Sequence, residues 1–180
     1  HSDVHHLLGV VFGRQGNQDK SVRYIRQAIS LNNKMPSYHY NLAEALRLKG
    51  ELVGSEQSYR QALQLAPKMV DAYIKLAIVL EQQGRLDEAI VYYQKGLQIK
   101  PDHALAYCGI GDILRQQGVY DHAISCYQRA LQIQPDLAVA HHDLGVLLNA
   151  CNRFDEAIAC FQQALRYKPD WGDAWSNLGM

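Results

Sequence analysis

Pro67, Pro101, Pro135 and Pro169 stand 34 residues apart, and that spacing constrains the chain more than any other feature. On the same ruler, a ring column reads Tyr59, Tyr93, Tyr127 and Phe161, with Ile25 in the first copy. One small-residue column runs Gly9, Ala43, Ala77, Gly111, Gly145, Gly179. Two more run Ser21, Ser55, Ala89, Ala123, Ala157 and Ala28, Ala62, Gly96, Ala130, Ala164. A unit of this length cannot bury an apolar face alone, so copies that recur without insertion must stack to make a core.

Within a copy, LAYCGIGDILRQQG and YDHAISCYQRALQIQP place apolar residues three and four apart, the signature of amphipathic helices. Between the two helices one position reads Gly16, Gly50, Gly84, Gly118 and then Asn152. A helix ends at least cost with a left-handed residue, which glycine and then asparagine tolerate best. Asp19, Asp87, Asp121 and Asp155 follow in the first turn of the second helix, where its dipole favours negative charge. Proline closes each pair, because the residue before it resists helical geometry. The expected fold is therefore all-α, a right-handed α-solenoid of 34-residue helix-turn-helix repeats. Residues 1–180 form a single array, with repeats at 2–35, 36–69, 70–103, 104–137 and 138–171. The first helix of a sixth lies at 172–180.

The segments YCGIGDIL, AISCY and ALQIQP, and likewise YIKLAIVL, AIVYY and GLQIKP, resemble the tetratricopeptide repeat, W-x2-L-G-x2-Y, then A-x3-F, then A, then P. The resemblance spans the whole chain. Departures are few: Asn33 replaces the first linker proline, Gln18 replaces an apolar residue, and the Trp position holds His or Tyr until Trp175.

Composition narrows the function. Lys plus Arg and Asp plus Glu number 18 each, so the net charge is zero, which argues against a general binder of nucleic-acid phosphates. No run of 18 apolar residues is present to span a membrane. Cys108, Cys126, Cys151 and Cys160 show neither a CxxC pair nor a disulfide-framework spacing, and read as free thiols of a reducing, cytoplasmic compartment. Glycine-rich phosphate loops, HExxH and G-x-S-x-G are absent, so no enzyme, no cofactor and no metal are expected.

His141, His142 and Asp143 adjoin one another and invite a metal-site or acid–base reading. Their column answers it. His5, His39, Tyr73, Tyr107, His141 and Trp175 share one place, a flat ring with a polar edge. Adjacent helical residues also point about 100° apart, so the two histidines lack the i,i+4 geometry of a chelate. His141 reads as architecture, and His142 falls on the ligand side.

The resemblance implies that first helices line a concave groove, with ligands met at the second, fifth, sixth, ninth and twelfth places of each repeat. The candidate site is Tyr40, Asn41, Glu44, Ile74, Lys75, Ile78, Cys108, Asp112, Arg115, His142 and Asp143. Tyr40, Ile74, Ile78 and Cys108 either form an apolar strip that anchors a peptide or pack on their own neighbours. Arg47, Glu81 and Arg115 alternate in sign and are expected to pair across repeats. The family's clamp for a C-terminal carboxylate is missing, since Tyr40 and Glu44 occupy its Lys and Asn places. The expected function is a scaffold binding a peptide or protein segment in the groove, without catalysis. The alternative is the substrate-recruiting arm of a larger glycosyltransferase, resembling O-linked N-acetylglucosamine transferases. Their asparagine ladder would survive here only as Asn41 and Asn177. VHHLLGVVF at one end, and Trp175, Leu178 and Met180 at the other, read as raw apolar ends of a longer protein that self-associate.

Overall fold

The computed structural model describes residues 1–179, which hold eleven helices and no strand. The first helices of successive pairs are α1 (Ser2–Arg14), α3 (Pro36–Leu48), α5 (Val70–Gln82), α7 (Ala104–Gln116), α9 (Ala138–Ala150) and α11 (Gly172–Asn177). The second helices are α2 (Gln18–Leu31), α4 (Leu52–Leu65), α6 (Leu86–Ile99), α8 (Tyr120–Ile133) and α10 (Phe154–Tyr167). Successive first helices begin 34 residues apart, as do successive second helices. Met180, one of the expected exposed end residues, lies outside the described residues.

The turn column behaves as its residue types dictate. Gly16, Gly50, Gly84 and Gly118 have φ between +76° and +80°, and Asn152 takes φ +59°. Asn152 is the one non-glycine residue with positive φ among those described. After each turn the second helix opens with carboxylates in its first turn: Asp19, Asp87 with Glu88, Asp121, and Asp155 with Glu156, but none in α4.

The helices group into two compact units, His1–Ile99 and Lys100–Met180. In the first, α1/α2, α3/α4 and α5/α6 are hairpins, and α2 packs on α3 as α4 packs on α5. Val22, Ile25 and Ala28 of α2 meet Tyr38, Leu42, Ala45 and Leu46 of α3 in a buried cluster. In the second unit, α7/α8 and α9/α10 are hairpins, with α8 on α9 and α10 on α11. There Ala123, Ile124, Tyr127 and Ala130 face Ala140, Leu144, Leu147 and Leu148. This is the all-α solenoid class that the period implies.

Small residues set how closely the helices approach. A Cβ on Gly111 would stand 2.9 Å from Cε1 of Tyr127, so the ring lies directly against the α7 backbone. The flat-ring column ties first helices to the linkers before them. His39 Nε2 lies 2.9 Å from the Asn33 carbonyl oxygen and His141 Nε2 2.9 Å from that of Pro135. Tyr73 and Trp175 donate to the carbonyls of Pro67 and Pro169 at 3.2 and 2.8 Å. His141 is architecture: its ring also stacks on Tyr167 at 5.8 Å.

Candidate partner-binding face

In the first unit the candidate residues come from α3 and α5. Tyr40 is half-buried and meets Tyr59 edge-on, ring centroids 5.6 Å apart. Its hydroxyl has no hydrogen-bond partner among the described residues. Burial first, then the nearby carboxylates of Glu44 and Asp71, push its pKa up to about 12, so it stays a neutral donor at any physiological pH. One turn on, Glu44 is held from three directions. It accepts a hydrogen bond from the Tyr59 hydroxyl, receives Arg47 Nε and an Arg47 terminal nitrogen at 3.3 Å each, and lies 4.0 Å from Lys75 Nζ. Tyr40, Glu44, Arg47 and Lys75 thus form one partly exposed cluster of alternating charge beside an aromatic ring. Ile78 is half-buried on α5.

Two residues of the expected apolar strip are elsewhere. Ile74 is buried, and its Cδ1 occupies the space a side chain on Gly96 would need, 2.6 Å from that Cβ position. Cys108 is buried in the core of the second unit with Ala123, Tyr127 and Leu144. Burial first, then the carboxylates of Asp112 and Asp143, push its thiol up to about 12. Both pack on their own neighbours, because each faces the helix pair and not the solvent. They are withdrawn as ligand anchors. Asn41 is also engaged: its Nδ2 lies 2.7 Å from His6 Nε2.

In the second unit Asp112 accepts a hydrogen bond from Tyr127 at 2.7 Å. Arg115 contacts the same hydroxyl, while its buried Nε has no partner. His142 Nδ1 lies 3.0 Å from Asp143 and Nε2 3.2 Å from the amide nitrogen of Asn177. The imidazole stacks on Trp171 at 4.5 Å, and the Lys168 ammonium lies 4.7 Å from that indole. Trp171 was not foreseen as part of this face. It sits one residue before α11, and only knowledge of the linker path brings it over His142.

Sequence reasoning also missed the tyrosine hydroxyls. Tyr59, Tyr93 and Tyr127 donate to Glu44, Glu81 and Asp112, the Tyr93 bond at 3.2 Å. A signal was present: the copies whose ring column lacks a hydroxyl, Ile25 and Phe161, also lack a carboxylate at the ninth and twelfth places, which read Val10, Gly13 and Val146, Asn149. Among the described residues no group of three His, Cys, Asp or Glu could hold a metal ion, and no helix is long and apolar enough to cross a membrane.

Stacked hairpins that present fixed polar side chains from their first helices define a helical-repeat recognition module. Family models described as tetratricopeptide repeat match residues 2–35, 35–102, 68–136 and 102–170, and the chain belongs to the tetratricopeptide repeat family. No curated protein matches it significantly. Among solved structures it is similar to residues 41-end of MamA from Desulfovibrio magneticus RS-1. That match has 18% identity and a TM-score of 0.83, over 95% of this chain and 97% of that one. It is also similar to TTC0263, a thermophilic TPR protein of Thermus thermophilus, at 21% identity and TM-score 0.77, over 99% and 97%. YrrB, described as a TPR protein with an unusual peptide-binding site, matches at 17% identity and TM-score 0.74, over 98% and 91%.

Proposed function

We propose that the chain is a protein-interaction scaffold that holds a peptide or protein segment on the face of its first helices and performs no chemistry of its own. The carrying observation is the α3/α5 cluster. Tyr40 offers a half-buried ring and a hydroxyl without a partner, next to Glu44 and Arg47, which are held by hydrogen bonds, and to Lys75 4.0 Å from Glu44. An extended peptide supplies backbone carbonyls for such a donor and side chains for the flanking charges. Preset groups lose little entropy when a ligand arrives. The peptide site of YrrB, a protein of the same fold, supports the reading.

The test is selection of binding peptides from a random displayed library on the whole chain, followed by calorimetry. Tyr40→Ala should weaken selected peptides by about tenfold or more, as loss of an aromatic anchor does. Asp136→Asn, on the second unit's linker, should not. If no peptide is selected, or Tyr40→Ala and Lys75→Ala both leave affinity unchanged, the reading fails.

Four unpaired cysteines, together with the absence of a spanning helix among the described residues, support a reducing cytoplasmic setting. Val4, Leu8 and Val11 of α1 are exposed, whereas the corresponding Tyr38, Leu42 and Ala45 of α3 are buried against α2.

A further inference from the structure

The first unit also carries an open depression of about 790 Å3 between two successive inter-repeat linkers. Met35, Pro36, Ser37, Ala66, Pro67, Lys68 and Met69 line it, so its wall is largely apolar, with one hydroxyl and one cation. The two linkers match: Lys34-Met35 and Lys68-Met69 occupy the same pair of places. The next three linkers read Asp102-His103, Asp136-Leu137 and Asp170-Trp171 at those places. A lysine is therefore not demanded by the linker backbone, which is built three times with aspartate.

The methionine place differs in the same way. In the second unit its side chain has an internal task. His103 accepts from the backbone N–H of Ala106, Leu137 packs on the core cluster, and Trp171 stacks on His142. Met35 is 38% exposed, and Met69 is half-buried. Neither Lys34 nor Lys68 makes an ion pair among the described residues. The helices that start here, α3 and α5, begin without side-chain caps; α5 has Asp71 in its first turn, whereas α3 has no acid there, so the positive end of the α3 dipole adds to the lysine charges. Of the nearby charged residues, Lys68 lines the depression, Lys34 precedes its lining residue Met35, and Asp71 does not line it.

We propose that this linker depression is a second docking site, which takes a protein segment carrying an apolar side chain flanked by carboxylates. Methionine suits the apolar part, since its unbranched thioether adapts to differently shaped side chains. The unpaired lysines choose the charge of the flanks and speed the encounter. Its lining shares no residue with the Tyr40, Glu44, Arg47 and Lys75 cluster, so a Tyr40 variant tells the two sites apart.

The experiment uses the whole chain with 13C-methyl methionine, which gives three resonances because the chain has 3 methionines. The probe is the synthetic peptide acetyl-Asp-Glu-Leu-Phe-Glu-Asp-amide. The Met35 and Met69 methyls should shift progressively as it is added, and Met180 should not. A peptide with lysine flanks, and one with serines for Leu-Phe, should leave all three in place. The double variant Lys34→Asp/Lys68→Asp installs the residue the other linkers use. It should fold as the parent does and bind at least about tenfold more weakly. Tyr40→Ala should retain the shifts.

Several results would overturn the proposal: no shift at millimolar peptide, an equal response to the lysine-flanked peptide, or loss of the shifts in Tyr40→Ala. Shifts that appear on concentrating the protein alone would assign the surface to a second copy. Shifts produced equally by phosphatidylglycerol vesicles would assign it to a membrane. Either would displace the acidic segment as the occupant.

Discussion

Tyr93 is the position where core packing and the polar face meet, and its replacement separates the two. The side chain is 2% exposed, and its hydroxyl reaches Glu81 at 3.2 Å. Truncation to alanine should cost about 3–5 kcal/mol, the range for a large buried ring. Phenylalanine keeps the ring and should cost about 1 kcal/mol at neutral pH, the size of a lost hydrogen bond. The pH dependence has a definite sign. Burial raises the Glu81 pKa above its ordinary value, and the Tyr93 hydrogen bond opposes that rise. A carboxyl with a raised folded pKa stabilises the fold fully below its unfolded value, about 4.3. That contribution is lost as pH rises through the folded value. Without the hydroxyl the folded pKa climbs further, so the Tyr93→Phe deficit should be largest near pH 7 and shrink toward pH 4. Native-state hydrogen exchange of α5 and α6 amides reads these energies locally, which matters in a repeat chain that need not unfold in one step. Urea titrations give the global counterpart. A cost for Tyr93→Ala below about 1 kcal/mol would refute the buried-ring column. A Phe deficit that is flat with pH would refute the coupling to Glu81.

Asn152→Gly should be neutral or stabilising by up to about 1 kcal/mol in thermal unfolding, because glycine meets φ +59° with less strain; a clear loss would contradict the turn assignment. Gly111→Ala should destabilise by about 1–3 kcal/mol, since the new methyl would stand 2.9 Å from the Tyr127 ring. Urea unfolding reads that cost, and a neutral result would mean the ring moves away freely. Cys108 should be the last thiol alkylated by N-ethylmaleimide at pH 7.5 when peptides are mapped by mass spectrometry. It is buried with its pKa at about 12, while Cys126, Cys151 and Cys160 are only half-buried.

The helical hairpins were legible because their cause is local and repeated. Gly16 through Asn152 mark the turns, and a single period places every helix start. The candidate face was legible only in part. A place in the repeat says which side of a helix a residue occupies, but not how deep it sits. Ile74 sinks because Gly96 across from it has no side chain, a relation between two helices that no single-helix pattern contains. Cys108 sinks for a similar reason, being small enough to lie under Tyr127 and Leu144 in the core. The engagement of Asn41 by His6, and of Asn177 by His142, links residues 35 apart and was equally hidden. Each amide is held by a histidine of the preceding repeat.

The tyrosine–carboxylate pairs carry the step from folding to recognition. A buried hydroxyl needs a partner, and a carboxylate at the margin of a core needs a donor, so the two meet each other's requirement. That mutual need explains why Tyr59, Tyr93 and Tyr127 accompany Glu44, Glu81 and Asp112, and why Ile25 and Phe161 stand in copies without them. The consequence lies on the outer face. Glu44 is steered by a ring rooted in the packing of α3 against α4, so its charge is fixed in place before any partner arrives. A free surface glutamate would have to be ordered by its ligand, whereas this one is ordered by the same packing that makes the repeat stable. If the proposed face binds a ligand, that ligand meets charges whose positions are properties of the core, and a change to the buried ring column should alter its affinity without touching an exposed residue.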